Sequence, residues 1–165
     1  KAACSHGLFY HYFDSKAEIF KAIIEESKNS SLKMPLFSDD DSLSSKEKFE
    51  RITKHIFDLM KQDGDGPYYM SLFFNLRFQK TLPPPPKRKD DGQKHKDPFT
   101  ALCQLIEEGQ SRGEFEPGPS QEFAIIYFSM VKGLVDHRLN MSPNRFKAPS
   151  VDTVMNLFLR KDRSL

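Results

Sequence analysis

From Ser120 to Asn140 the chain carries no proline, and its apolar residues fall at Phe123, Ala124, Ile126, Tyr127, Met130, Val131, Leu134 and Val135. A stretch this long with that spacing buries its apolar side only as a helix. The same period recurs elsewhere. Phe49, Ile52, Ile56 and Met60 predict a helix from about Lys46 to Gln62. Tyr68 to Gln79 is apolar on nearly every face, which predicts a helix buried on all sides. Phe99, Leu102, Cys103 and Ile106 mark a helix from Pro98 to Ser111, with Gly113 as its C-cap. Ser150 caps a last helix, expected to reach about Lys161, with Val151, Val154, Met155 and Phe158 on one face. Pro, Gly, Ser and Asp clusters separate these segments, and the alternation of a half-buried strand is absent. The expected fold class is all-α.

Composition narrows the class further. Hydrophobic residues make up 38% of the 165, with fifteen Phe and no Trp, which is enough for a packed core. No apolar run approaches the roughly 18 residues that span a bilayer, so no membrane partner is expected. No charged stretch followed by an apolar one opens the residues, and Cys4 and Cys103 belong to no paired motif. Both features fit reduced thiols in the cytoplasm. The net charge of +2 is too small to argue for nucleic acid by itself.

The N-terminal segment carries a different signal. Ser5-His6-Gly7-Leu8-Phe9-Tyr10-His11-Tyr12-Phe13-Asp14-Ser15-Lys16 runs into a helix expected from Lys16 to about Lys33, with Ile19, Phe20, Ile23 and Ile24 at helical spacing. Ser15 stands three residues before Glu18, the spacing of a capping box. Two capped helices joined by about two residues suggest the reading end of a helix-turn-helix. Taken alone, the same residues describe an aromatic turn packed on a bundle.

Residues Lys1 to Ile24 resemble the TetR/AcrR family of transcriptional regulators, at the third helix of their DNA-binding domain and the start of the fourth. Ala3 stands where the family usually has Gly, and Cys4 at an apolar position. A second resemblance covers Leu105 to Phe115, a Pro-rich turn, and the apolar helix ending Val131-Lys132-Gly133-Leu134, which is similar to the family's seventh and eighth helices. Residues 35 to 97 agree only as a helix pattern. The family has a first helix and most of a second before this point, so the resemblance implies a partial DNA-binding domain over residues 1–33. A ligand-binding and dimerisation domain is implied over 34–165.

The resemblance implies specific contacts. Ser5, His6, Gly7 and Leu8 would lie in the major groove of double-stranded operator DNA, and Tyr10, His11 and Lys16 would meet phosphates, which fix register rather than sequence. Leu8 could touch a thymine methyl. Phe9 and Phe13 continue the apolar face and are expected in the core.

Phe57, Met60, Tyr69, Phe73, Phe99, Cys103, Ile106, Tyr127 and Met130 could surround a cavity for an apolar or aromatic effector. Tyr68, His55 and Asn75 could add polar groups. By pattern alone such residues usually mean a dry, close-packed core; the cavity is what the resemblance implies. The resemblance also implies a homodimer through the last two helices. Gly133 would permit close helix approach there, and Phe128 is expected on the outer face. The function implied is a repressor released from its operator by a small molecule. The other reading is a helical small-molecule-binding or interaction protein without DNA-binding activity.

Other constellations carry less. His6 and His11, five apart, face different ways on a helix and have no carboxylate at ligand spacing, so no metal is expected. The basic run Lys87, Arg88, Lys89, Lys94 and Lys96 is interspersed with Asp90, Asp91 and Asp97, as in a solvated loop after Pro83 to Pro86. No Gly-rich phosphate loop, HExxH or nucleophile elbow is present, and adjacent Glu107 and Glu108 cannot act as a carboxylate pair. No catalytic residue and no cofactor are expected.

Overall fold

A computed structural model describes residues 42–61, 64–78, 98–142 and 145–161, together with the single positions Asp14, Glu18 and Ala22. Within residues 42–161 the described parts hold five helices, with no strand longer than one bridge: α1 Ser45–Lys61, α2 Gly66–Phe78, α3 Pro98–Ser111, α4 Ser120–Asn140 and α5 Val151–Phe158. The described residues are therefore all-helical. Among them, no helix is long and apolar enough to cross a membrane.

The arrangement follows from which helices have an apolar face to bury. α4 is the centre, with α2 and α3 against it, and α1 packs on α2, α3 and α5. The α1 stripe of Phe49, Ile52, Ile56 and Met60 is buried, joined by Phe57 and Leu59. α3 contributes Leu102, Cys103, Leu105 and Ile106, and α5 contributes Val154, Met155 and Phe158.

Three helix ends show why the boundaries fall where they do. At α1, the Ser44 N–H donates to the Glu47 carboxylate at 2.8 Å and the Glu47 N–H donates to the Ser44 hydroxyl at 3.2 Å. This reciprocal capping box sets the start one residue earlier than the expected Lys46. At α3, the Gly113 N–H reaches the Gln110 carbonyl and the Glu114 N–H reaches the Gly109 carbonyl, a Schellman motif. It needs the left-handed backbone that Gly113 supplies at φ +74°. At α5, Ser150 accepts from the Thr153 N–H at 3.1 Å, as its sequence position predicts. That helix stops at Phe158, short of Lys161. Leu159 instead forms an antiparallel bridge with Phe115, and backbone hydrogen bonds that would extend the helix go to the α3–α4 turn.

Two expectations about exposure are corrected. α2 is not buried all round, since Tyr68 is 64% exposed. Phe128 does not face outward: it is 7% exposed, against the rings of Phe74, Phe99 and Tyr127. The outer face of α4 belongs to Ile125 and Ile126, at 55% and 54% exposure. Its Gly133 has open space where a Cβ would stand, so it serves no close contact within the described chain.

Candidate functional site

Two candidate sites come from the sequence, and they fare differently. Ser5, His6, Gly7, Leu8, Tyr10, His11 and Lys16 lie outside the described residues, as do Phe9, Phe13 and the loop 79–97. Of the N-terminal segment, only Asp14, Glu18 and Ala22 are described. Glu18 and Ala22 are helical, and the Asp14 N–H donates to the Glu18 carboxylate at 2.6 Å.

The interior site is described more fully. Phe57, Met60, Cys103, Ile106 and Tyr127 are buried in one apolar cluster, with Phe99 and Met130 partly buried against it. Tyr69 is half-buried. The side chains of Phe73 and Asn75 lie outside the described residues. His55 is half-buried, and its Nε2 is enclosed with no hydrogen-bond partner.

Ile106 and Tyr127 on one side and Phe99 on the other belong to two aromatic groups. In the first, Phe49 meets Phe115 at 5.5 Å, Tyr127 at 4.9 Å and Phe158 at 5.2 Å, with edge-to-face or tilted rings. Such pairs add specificity to burial. Ile106 belongs to this group. With Phe49, Phe115, Glu116, Phe123 and Phe158 it lines a crevice too narrow for one water molecule. In the second, Phe128 meets Phe74 edge to face at 6.2 Å and stacks on Phe99 at 6.1 Å, where α2, α3 and α4 converge. Tyr127 and Phe128, 6.0 Å apart, join the two.

A polar ladder crosses the first group. The Thr53 hydroxyl donates to the Phe49 carbonyl at 2.9 Å and lies 3.1 Å from the Tyr127 hydroxyl. Thr53 has one proton to give, so Tyr127 donates to Thr53. Burial pushes the Tyr127 phenol well above its ordinary range, which keeps it neutral and fixed as a donor. Sequence reasoning missed Thr53, although a Thr four residues after Phe49 falls on the apolar stripe. It also missed Arg138, which is buried with its Nε–H on the Met60 carbonyl at 3.0 Å. That contact places a cation at the C-terminal end of α1, where the helix dipole favours it. Three residues after buried Val135, Arg138 continues the buried face of α4, and that spacing was the available signal.

Cys103 sits where α3 meets the start of α4. Burial raises its thiol pKa, with the Glu107 charge adding to the effect. A thiol held protonated in this way is a core filler rather than a nucleophile. Beside it the Ser120 hydroxyl donates to Glu107 at 2.6 Å. Among the described residues no group of His, Cys, Asp and Glu could hold a metal ion. Comparison of the chain with protein families, with curated proteins and with solved structures found no match.

Proposed function

We propose that this chain is part of a ligand-responsive DNA-binding regulator of the TetR/AcrR type, most simply a repressor. The observation that carries this reading is the N-terminal sequence from Ser5 to Glu18, in which small, aromatic and basic residues precede a capped helix at the spacing of a reading helix. The order of α3, a glycine-terminated turn and the long α4 is compatible with the second resemblance.

In this reading a homodimer holds two reading helices about 34–36 Å apart, to enter successive major grooves. A small apolar or aromatic molecule favours a different spacing, and it shifts the balance only by its differential affinity for the two states. The helix that begins near Lys16 connects reader and bundle. The effector fits best at the second aromatic group, where Phe99 remains partly exposed. The dimer uses the outer faces of α4 and α5, where Ile125, Ile126 and Leu157 stand in solvent and Gly133 leaves room for a second helix. A two-fold interface of this kind is self-complementary, so each substitution acts twice.

The test is a salt titration of duplex binding by the protein with its complete helix-turn-helix. Lys16→Ala should weaken all DNA sequences alike. It should also shrink the slope of log affinity against log salt by about 1.8, since each of two half-sites loses one phosphate contact worth about 0.9. An unchanged slope removes Lys16 from the interface, and no binding in either protein favours a helical binding protein without DNA-binding activity.

A further inference from the structure

The first turn of α1 is held from outside the helix. The Lys46 N–H, at the second helical position, has no partner within α1 and donates to the Glu114 carboxylate at 2.7 Å, across 68 residues of sequence. Beneath it Ser45 is buried directly over Gly109, where an added Cβ would stand 3.1 Å from the Ser45 Cβ. Glu114 is itself fixed on two sides. Its N–H belongs to the Schellman turn that ends α3, and its carbonyl accepts from the Arg160 N–H at 3.0 Å. The Glu116 N–H donates to the Phe158 carbonyl at 2.9 Å, and the Lys161 N–H reaches the Glu116 carboxylate at 3.3 Å. Gln110 closes the turn from inside, donating to the Glu116 and Gly118 carbonyls.

We infer that the α3–α4 turn and the segment just after α5 form a clip on the start of α1, so that residues 159–161 control how firmly the first turn of α1 is held. The inference stands on these contacts and does not depend on DNA binding. Its physical basis is the division of labour at the helix start. Ser44 and Glu47 satisfy each other, but the Lys46 N–H depends on the carboxylate of Glu114, whose backbone is held by Arg160 and by the Phe115–Leu159 bridge beside it. Loss of the segment after α5 releases the turn, and release of the turn leaves the Lys46 N–H without its acceptor.

Amide hydrogen exchange in the whole chain tests the clip, because Lys46 has no intrahelical bond to protect it. Arg160→Pro removes one donor, and Leu159 already has the extended backbone that a following proline favours, with φ −71° and ψ 142°. Exchange at Lys46 should rise several-fold in Arg160→Pro and about tenfold in Glu114→Ala, the scale of one hydrogen bond to a charged group. Glu114→Gln, which keeps an acceptor, should fall between wild type and Glu114→Ala. The double variant should exchange no faster than Glu114→Ala, and Val131 and Val135 in α4 should keep wild-type protection. A Lys46 amide unmoved by Arg160→Pro, additive effects in the double variant, or a rise spread evenly over the chain would each overturn the clip.

Discussion

At one end of the core Phe49, Phe115, Tyr127 and Phe158 meet under the α3–α4 turn; at the other Phe74, Phe99 and Phe128 meet between α2, α3 and α4. Both ends are aromatic, yet they are finished differently. The first is closed by α5, by the Phe115–Leu159 bridge and by the Thr53–Tyr127 ladder, and it leaves no room for water. Gly109 shows how tight it is, since a Cβ there would collide with the Phe115 ring. At the second, Phe99 at the edge keeps part of its surface in solvent. An aromatic cluster is therefore not by itself a pocket. What separates structural filling from a place a small molecule could enter is whether backbone and polar groups seal it.

The largest expected effect breaks the closed end. Phe49→Ala should cost about 3–5 kcal/mol, because the ring is fully enclosed and its rigid neighbours cannot collapse into the gap. Phe99→Ala, at the half-buried edge, should cost about 1–2 kcal/mol. Urea unfolding measures both. Equal costs would mean that the two ends are packed alike.

A second comparison sets neighbouring residues of α4 against each other. Ile126→Asp should leave the chain folded and shift a dimer to monomer in sedimentation at micromolar concentration, since Ile126 stands in solvent in the single chain. Phe128→Asp should unfold it, because an unpaired charge would lie among three rings at a cost of several kcal/mol. A compact monomer in the unsubstituted protein would remove the proposed interface.

The smallest effect concerns pH at the start of α1. The Ser44 N–H, then the Ser44 hydroxyl, hold the exposed Glu47 carboxyl below its ordinary range, with Lys46 helping. A carboxyl lowered in the folded state stabilises it above the ordinary carboxylate range, and that contribution is lost as pH falls through the lowered value. Glu47→Gln should therefore flatten a small part of the acid limb of stability between about pH 6 and pH 3. Curves of identical shape would mean that the cap is not populated in solution.

Much of the architecture was legible in the chain, because helices with one apolar stripe announce their period. α3 and α4 begin and end where proline, glycine and the stripe predict. α5 was overextended because its end is decided by pairing with Glu114 to Glu116, a contact across more than forty residues that no local pattern carries. Phe128 was misplaced for a related reason. On a helix apolar over more than half its circumference, period alone does not say which apolar side meets α2 and α3 and which meets solvent. The Ser44–Glu47 capping box was readable and overlooked. At the candidate ligand site the residue types were legible but not their division between a sealed end and an open one. That division depends on Leu159 and the turn that faces it.

The proposed reading of DNA by the N-terminal segment is tested by selection from a random duplex pool. The protein with its complete helix-turn-helix should enrich a two-fold symmetric sequence with half-sites about one helical turn apart. Leu8→Thr should change the preferred base at one position in each half-site, by roughly 1–3 kcal/mol of discrimination. A pool that emerges unenriched from a folded dimer would contradict the account.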